Sequence, residues 1–323
     1  MIPAVLAACL SVAPVSAHPP PPAGAAGAPE PSSLAPLPLA TLDETLDVAG
    51  DPLNAAEVRT RLTLPVAVNG VGPFRFVVDS GADRSVVGLR LAARLRLRPE
   101  GCLRLHGMAA TTLVPAVHLD SLDWGGGQIE NVSTPALPDE AIGADGLLGI
   151  DALAGRRLKL DFEAHAITVE DPQRRETTLA GEPGDIVVTA RRQHGQLILT
   201  AATSSGVKML AVIDTGAEVT VGNSALRARV LARKQSLEPH PVDLISVTGD
   251  RLIADLVTIP ELSIGGLRIR DLPVAFVDAP PFALFGLSDK PAVLLGTDVL
   301  QAFRRVSLDF RRRKVRFSLR APR

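Results

Sequence analysis

The chain has 323 residues, 46% of them hydrophobic and 21% charged, so it is long enough for two domains built around apolar cores. Its formal net charge of −1 gives no reason to expect nucleic acid as a partner. Tyrosine is absent and aromatic residues make up only 3% of the chain, so Leu, Val, Ile and Ala must form most of the core.

The first 17 residues resemble a secretory signal peptide. Their apolar run closes on Val15-Ser16-Ala17, a pattern of small residues typical of a cleavage site, although no Lys or Arg precedes the run. Leu6-Ala7-Ala8-Cys9 also resembles a bacterial lipoprotein motif. We therefore expect export to the bacterial periplasm or secretion. Lipidation at Cys9 is the alternative, and a membrane contact is expected only in that case.

The residues after this segment divide into a spacer and two lobes. Residues 18–57 begin with a stretch rich in Pro, Ala and Gly, which is typical of a flexible spacer, and a prosegment would fit as well. The N-terminal lobe is expected at 58–172 and the C-terminal lobe at 182–320, because the same order of features occurs in both.

The first copy of this order opens with a predicted β-hairpin. A strand pattern over Arg61–Val68 is followed by an Asn69-Gly70 turn and a returning strand over Phe74–Val78. The returning strand runs directly into Asp79-Ser80-Gly81-Ala82, whose residue types predict a tight turn.

The second copy has the same plan. Strand patterns over Gln196–Thr203 and Val207–Ile213 flank a Ser204-Ser205-Gly206 turn, and the second strand runs into Asp214-Thr215-Gly216-Ala217. The later features of the two copies also match in pairs: short helices at Leu89–Leu97 and Ser224–Lys234, glycine hairpins within Leu119–Ile129 and Ile259–Ile269, and the segments Leu147-Leu148-Gly149 and Leu294-Leu295-Gly296.

This internal duplication predicts two similar lobes. The repeat is far too long for a solenoid, and short strands with frequent glycine turns favour all-β, barrel-like lobes over a parallel sheet with crossover helices. Each lobe would then contribute one acid, Asp79 or Asp214, to a shared site.

Paired acids at the ends of apolar strands have a defined chemistry. Burial raises the pKa of a carboxyl group, and a second carboxyl group within hydrogen-bonding distance adds repulsion between the ionised forms. Such a pair holds one proton over a wide pH range. It can take a proton from water and give one to a substrate oxygen, which is what metal-free attack on an amide requires.

The sequence resembles the aspartic peptidases of the retropepsin and pepsin group, specifically bacterial retropepsin-like proteins with two copies in one chain. The resemblance covers residues 58–320 and rests on Asp79-Ser80-Gly81-Ala82-Asp83 and Asp214-Thr215-Gly216-Ala217-Glu218, together with Leu147-Leu148-Gly149 and Leu294-Leu295-Gly296. It implies an all-β, bilobal acid-protease fold with pseudo-twofold symmetry, in which the apolar-apolar-Gly segment crosses behind each Asp turn in a ψ-shaped loop.

The resemblance also implies roles for individual residues. Asp79 and Asp214 would be the catalytic dyad, and the hydroxyls of Ser80 and Thr215 would make hydrogen bonds across the lobe interface. The other residues implied are Gly81 and Gly216 in the dyad turns, Asp83 and Glu218 at the substrate main chain, and Gly107 and Gly249 in the flaps around His106-Gly107-Met108-Ala109 and Thr248-Gly249-Asp250.

Neither a metal nor a cofactor is expected. The six histidines are scattered without the spacing of a metal site, and the inferred reaction needs only the two acids and water. If the N-terminal segment is removed, Cys102 stands alone, and we expect it to be a small buried apolar residue.

The sequence thus predicts an exported aspartic endopeptidase that acts on polypeptides. The alternative is a peptide-binding protein that keeps the fold and the cleft without cutting. A monomer with two lobes is simpler than a dimer, because both copies keep the Asp motif, but pairing of lobes between chains is a further possibility.

Overall fold

The structure is a computed structural model. It describes residues 61–124, 126–170, 185–233 and 238–320, together with three two-residue strands nearer the N-terminus: β1 (Ala4–Val5), β2 (Ser11–Val12) and β3 (Thr41–Leu42). Apart from these strands, the predicted signal peptide, the Cys9 motif and the spacer to residue 57 lie outside the described residues, so those interpretations remain predictions.

The first lobe contains nine strands and three short helices among its described residues. In chain order they are β4 (Thr63–Val68), β5 (Val71–Val78), β6 (Val86–Gly88), α1 (Leu89–Arg94), β7 (Pro99–His106), β8 (Thr111–Asp123), β9 (Gln128–Leu137), α2 (Asp139–Ile142), β10 (Gly146–Leu148), α3 (Ile150–Leu153), β11 (Arg157–Asp161) and β12 (Ala166–Glu170).

The second lobe repeats this order element for element after a linking strand, β13 (Ile186–Gln193). Its elements are β14 (Gln196–Ser204), β15 (Val207–Ile213), β16 (Val221–Gly222), α4 (Ser224–Arg233), β17 (His240–Ile245), β18 (Arg251–Ile264), β19 (Leu267–Phe276), α5 (Pro280–Leu284), β20 (Ala292–Leu295), α6 (Thr297–Leu300), β21 (Arg305–Asp309) and β22 (Lys314–Ser318). The prediction of a duplicated, bilobal all-β fold is confirmed.

The predicted ψ-shaped crossing is present in both lobes. Strand β10 lies parallel to β5 and antiparallel to β6, and β20 has the same relation to β15 and β16. The amide of Asp79 donates to the carbonyl of Leu148 at 2.9 Å, and the amide of Asp214 donates to the carbonyl of Leu295 at 3.0 Å. Each Leu-Leu-Gly segment therefore fixes the first residue of its own Asp turn.

A sheet that crosses the lobe boundary joins the two repeats. Strand β11 of the first lobe pairs with β21 of the second, and the order continues β12-β11-β21-β22-β13. Arg157 on β11 and Asp309 on β21 add a buried ion pair, with Arg157 Nη2 at 3.2 Å from Asp309 Oδ2. The largest apolar cluster among the described residues also takes side chains from both lobes.

In each lobe, a two-residue strand from near the N-terminus pairs with the first strand of a hairpin. Strand β1 lies parallel to β7, and β2 lies antiparallel to β17. Strands β7 and β17 are the first strands of the two hairpins that the sequence assigns to flaps. In the part of the chain that is described, no helix is both long and apolar enough to cross a membrane.

The prediction for Cys102 is wrong. The side chain is exposed instead of buried. Cys102 lies in the first half of β7, where the pairing with β8 shifts register between Pro99 and Cys102 and the four residues Pro99–Cys102 all face solvent. A small apolar side chain does not specify a core position when its strand segment lies at the edge of the fold.

The ψ-loop strands are expected to carry more stability than the outer strands. Leu148 on β10 is completely buried, so Leu148→Ala should lower the free energy of unfolding by about 2–5 kcal/mol through lost contacts and the cavity left behind. Leu113 on β8 is 66% exposed, and Leu113→Ala should change it by no more than about 0.5 kcal/mol. Urea unfolding of both variants checks this, and equal losses would contradict the fold.

Candidate active site

The two Asp turns are held together by a reciprocal set of hydrogen bonds between the lobes. The amide of Ser80 donates to Thr215 Oγ1 at 2.9 Å, and the amide of Thr215 donates to Ser80 Oγ at 3.1 Å. Each hydroxyl also donates across the interface, Ser80 Oγ to the carbonyl of Ile213 at 2.9 Å and Thr215 Oγ1 to that of Val78 at 2.7 Å. Each hydroxyl is donor and acceptor at once, which explains why both positions need Ser or Thr.

Each aspartate also closes its own turn. Asp79 Oδ1 accepts hydrogen bonds from the amides of Gly81 and Ala82 at 2.8 and 2.9 Å. Asp214 Oδ1 accepts from the amides of Gly216 and Ala217, both at 3.1 Å. Side-chain bonds of this kind stabilise a tight turn and fix the direction of the carboxyl group.

The glycines bring the two carboxyl groups together. A Cβ atom built on Gly81 would lie 2.6 Å from Asp214 Oδ1, and one built on Gly216 would overlap the carboxyl group of Asp79. Any side chain at either position would therefore displace the acid of the opposite lobe. The structure thus brings together Asp79, Asp214, Ser80, Thr215, Gly81 and Gly216 in one site at the lobe interface.

Both carboxyl groups are completely buried, and this controls their protonation. Burial raises the pKa of Asp79 to about 6, against the lowering effects of the Gly81 and Ala82 amides and of the Arg61 charge. Burial, and after it the negative charge of Asp79, raise the pKa of Asp214 well above its ordinary value. Around neutral pH the pair therefore holds one proton and one negative charge.

One oxygen of each acid remains available for a ligand. Asp79 Oδ2 and Asp214 Oδ2 are buried and accept no hydrogen bond from any residue that the structure describes. Buried polar atoms normally have partners. Two such atoms in one site form a place for a molecule that can donate and accept hydrogen bonds.

A second pair of acids, which sequence reasoning missed, supports the turns from behind. Ser85 Oγ donates to Asp151 Oδ1 at 2.7 Å and accepts from the amide of Gly149 at 3.1 Å. In the second lobe, Thr220 Oγ1 donates to Asp298 Oδ1 at 2.7 Å and accepts from the Gly296 amide at 3.1 Å.

Both of these acids follow a Leu-Leu-Gly segment by two residues, so a comparison of the two copies could have identified them from the sequence. Burial raises the pKa of Asp151, and it raises that of Asp298 to about 6. Their hydrogen bonds tie the strand after each Asp turn to the ψ-loop. We assign them to this support because their hydrogen bonds to Ser85 and Thr220 lie within their own lobes.

The two acids predicted to meet substrate main chain differ in their surroundings. Asp83 is half-buried, whereas Glu218 is buried and its Oε1 lies 2.9 Å from Nε of Arg61. Arg61 belongs to the first lobe and Glu218 to the second. Sequence reasoning did not single out Arg61, because nothing in its local pattern indicates a partner so distant in the chain.

The predicted flap glycines lie at the tips of two hairpins that meet. The amide of Gly107 donates to the carbonyl of Ala110 at 2.9 Å, and Gly249 adopts φ of +87°, which favours glycine. A Cβ on Gly107 would lie 3.2 Å from Ser246 Oγ of the other hairpin.

Each flap tip also inserts a side chain into the opposite lobe. Met108, from the first lobe, is buried in a cluster of second-lobe residues that includes Val212 and Val219. Val247, from the second lobe, is buried in a first-lobe cluster that includes Val77 and Ala82. The flaps therefore cross, and the dyad has no exposed surface in this closed arrangement.

Comparison with known protein families agrees with this geometry. A family model described as aspartyl protease matches residues 64–152 and 200–299, which together make up more than half of the chain. Each matched segment contains one Asp turn and one Leu-Leu-Gly segment. A search of curated proteins gave no match. Within the described residues, no group of three or more His, Cys, Asp or Glu side chains could hold a metal ion.

The cross-lobe hydroxyl bonds give a first prediction for this site. Thr215→Ala leaves the Ser80 amide and the Val78 carbonyl without their partner, and each such buried group should cost about 1–3 kcal/mol of unfolding free energy. Thr215→Ser keeps the hydroxyl and should cost about 1 kcal/mol, mainly for the lost methyl group. Denaturant unfolding measures both, and equal losses would show that the hydroxyl bonds do not hold the lobes.

The raised pKa values give a second prediction. A carboxyl group whose pKa is higher in the folded than in the unfolded protein stabilises the fold fully at a pH below its unfolded pKa. This stabilisation is lost as the pH rises to the folded pKa. For Asp79 the loss falls between about pH 4 and pH 6. Asp79→Asn avoids this loss and still offers Oδ1 to the turn amides.

The Asp79→Asn variant should therefore be more stable than the unmodified protein at pH 7, by about 1–3 kcal/mol, with a much smaller difference near pH 4. Unfolding at both pH values checks the sign. A variant that is less stable at pH 7 would contradict the raised pKa.

Proposed function

The chain belongs to the aspartyl protease family, and we propose that it is an exported, single-chain aspartic endopeptidase. One observation carries the proposal. Two buried carboxyl groups, Asp79 and Asp214, lie against each other's turn, and each has one oxygen that no described residue occupies. The N-terminal segment supports export, and the family supports a polypeptide substrate. The pairing of both lobes within one chain supports action as a monomer.

The proposed chemistry uses the single proton of the pair. A water molecule between the two Oδ2 atoms gives a proton to the ionised carboxylate and attacks the carbonyl carbon of the peptide bond. The protonated member of the pair gives its proton to the carbonyl oxygen, which becomes a hydroxyl. As this intermediate collapses, one of its hydroxyls gives its proton to the carboxylate of the pair that is now ionised, and the C=O bond forms again while the C–N bond breaks. The other carboxyl group gives the proton that it took from water to the leaving amine, so the pair again holds one proton.

Substrate entry requires the flaps to open. The dyad is buried beneath them, so Met108 and Val247 have to leave the opposite lobes before a peptide can reach Asp79 and Asp214. An extended peptide would then bind along the cleft by adding its main chain to the flap hairpins. Gly107 and Gly249 at the tips would allow close approach of the peptide main chain.

The burial of the dyad also bears on the alternative of a non-catalytic peptide-binding protein. A pair of buried acids lowers stability at neutral pH, and a protein that only bound peptides would have no need of it. Retention of both acids, both glycines and both hydroxyls favours catalysis. Lipidation at Cys9, the alternative to release after export, would leave the chemistry of the dyad unchanged.

The direct test is cleavage of an unfolded, alkylated protein over a range of pH. Activity needs the singly protonated pair, so it should fall as the pH drops below about 6, where Asp79 becomes protonated. Asp79→Asn and Asp214→Asn should each lower kcat by about 10²–10⁴-fold or more. Mass spectrometry of the products measures the cleavage.

Asp120→Asn provides a matched control. Asp120 is an exposed acid on β8, and its replacement should leave the rate unchanged. Binding of the unfolded protein without cleavage would support the peptide-binding alternative. Cleavage that persists in both dyad variants would point to another site and contradict the proposal.

A further inference from the structure

The turn between β21 and β22 presents an unbroken run of basic side chains to solvent. The run consists of residues 311–314, with the sequence Arg-Arg-Arg-Lys, and all four side chains are exposed. A single nearby carboxylate, that of Asp309, is shared between Arg312 and the buried Arg157, so it does not neutralise the run. The whole chain has a net charge of −1, so this turn is a local concentration of positive charge.

Two more arginines lie beside this turn. The amide of Ala190 donates to the carbonyl of Arg313 at 2.8 Å, where the pairing of β13 with β22 ends. Arg191 and Arg192 are the next two residues of β13, and both are exposed. Together the six cations form what we call the basic surface, at one end of the sheet that joins the lobes: Arg191, Arg192, Arg311, Arg312, Arg313 and Lys314.

The first lobe shows that the fold does not need basic residues in this turn. Its equivalent turn, residues 163–166, joins β11 to β12 and has the sequence Glu-Ala-His-Ala. Asp161 Oδ1 accepts a hydrogen bond from the amide of residue 164 at 3.0 Å, as Asp309 Oδ1 does from that of residue 312 at 2.7 Å. His165 and Arg313 both adopt a positive φ, +49° and +55°. The same turn therefore forms without Arg or Lys at any of these four positions.

The basic surface lies apart from the flaps. Strands β11 and β21 are antiparallel, with Arg157 opposite Asp309 and Asp161 opposite Arg305, so the two equivalent turns are at opposite ends of the joining sheet. The flap tips belong to other hairpins, β7 with β8 and β17 with β18. A ligand on the basic surface therefore leaves the flaps free to open.

We propose that the basic surface docks the protein on a membrane that contains anionic lipids. Exposed Lys and Arg side chains attract anionic headgroups, and a turn at the end of a sheet can present several of them to a flat surface at once. Phe310, the aromatic residue next to the turn, is buried, so it offers no face on which a nucleic-acid base could stack. The choice of lipid over other polyanions rests on the proposed export, which leaves the protein beside the membrane that it has crossed.

This contact adds to the one that the sequence assigns to Cys9. Lipidation at Cys9 would provide an acyl chain, and a single acyl chain gives only marginal and reversible membrane binding. A cluster of basic side chains is a common second signal for stable binding. The basic surface works in the same way on a released protein, but there it acts alone, and the binding is weaker and falls with salt.

The two turns supply a variant that is matched in structure. Arg311→Glu, Arg312→Ala, Arg313→His and Lys314→Ala together give the second lobe the turn sequence of the first, so the variant should keep its fold and its stability in urea. The full-length chain is compared with and without this exchange, and both proteins carry Cys9→Ser so that no acyl chain contributes.

Sedimentation with lipid vesicles measures the contact. The unmodified turn should bind vesicles of phosphatidylcholine with about 30% phosphatidylglycerol, and the exchanged turn should bind them at least about tenfold more weakly. The difference should shrink as NaCl is added. Vesicles of phosphatidylcholine alone report any binding by the apolar N-terminal segment, which is the same in both proteins.

A second variant controls for net charge. Arg104→Ala, Lys208→Ala, Arg229→Ala and Arg251→Glu remove the same charge from exposed positions outside the basic surface, and vesicle binding should stay within about threefold of the unmodified protein. Equal losses in the two variants would show an effect of net charge and overturn the proposal. So would a failure of the unmodified protein to bind the anionic vesicles, or binding of an RNA oligonucleotide or an acidic peptide in their place.

Two further measurements keep this test separate from protein stability and from catalysis. If the exchanged turn does not fold, Arg191→Gln with Arg192→Gln removes two charges of the same surface without changing the turn, and vesicle binding should fall by about threefold or more. Peptide cleavage in solution should be the same with either turn. A protein that cuts no peptide but binds the vesicles through this surface would contradict the peptidase proposal and support the docking proposal.

Discussion

Two carboxyl groups buried side by side cost free energy, and the structure around Asp79 and Asp214 offsets that cost. Two backbone amides donate hydrogen bonds to Oδ1 of each acid. The glycine of the opposite turn leaves room for the carboxyl group of that acid. The hydroxyls of Ser80 and Thr215 fix the two turns to each other. Behind them, Leu148 and Leu295 hold the turns through the ψ-loops. The pair can then carry a single proton because neither acid can move away from the other.

The two lobes repeat this support closely but not completely. Each has its hydroxyl residue bonded to a buried acid behind the turn, and each sends an apolar flap-tip side chain into the other lobe. One difference is the position 18 residues before each dyad acid, where Arg61 is charged and Gln196 is neutral. A single arginine therefore breaks the symmetry of the site in charge while both residues keep the same cross-lobe geometry.

The duplication made the fold and the dyad predictable from sequence. The Asp turns and Leu-Leu-Gly segments are local patterns, and their recurrence in the same order placed both acids in one site. Arg61 could not be found in this way, because its partner Glu218 lies in the other lobe and the residue at the equivalent position of the second copy, Gln196, is uncharged. The predicted burial of Cys102 was wrong for a related reason. Burial depends on what packs against a strand, and the first half of β7 is exposed to solvent. The segments 106–109 and 248–250, which the sequence assigns to flaps, lie in the turns of two hairpins, but sequence could not show that Met108 and Val247 are each buried in the opposite lobe.

Buried in this way, Asp79 and Asp214 share one proton near neutral pH. The most direct measurement is a potentiometric comparison of the unmodified protein with the double variant Asp79→Asn, Asp214→Asn, which has no titratable group in the dyad. At pH 7 the unmodified protein should hold about one bound proton more than its other titratable groups account for, judged against the double variant. A difference near zero would mean that both acids are ionised, and it would contradict the account.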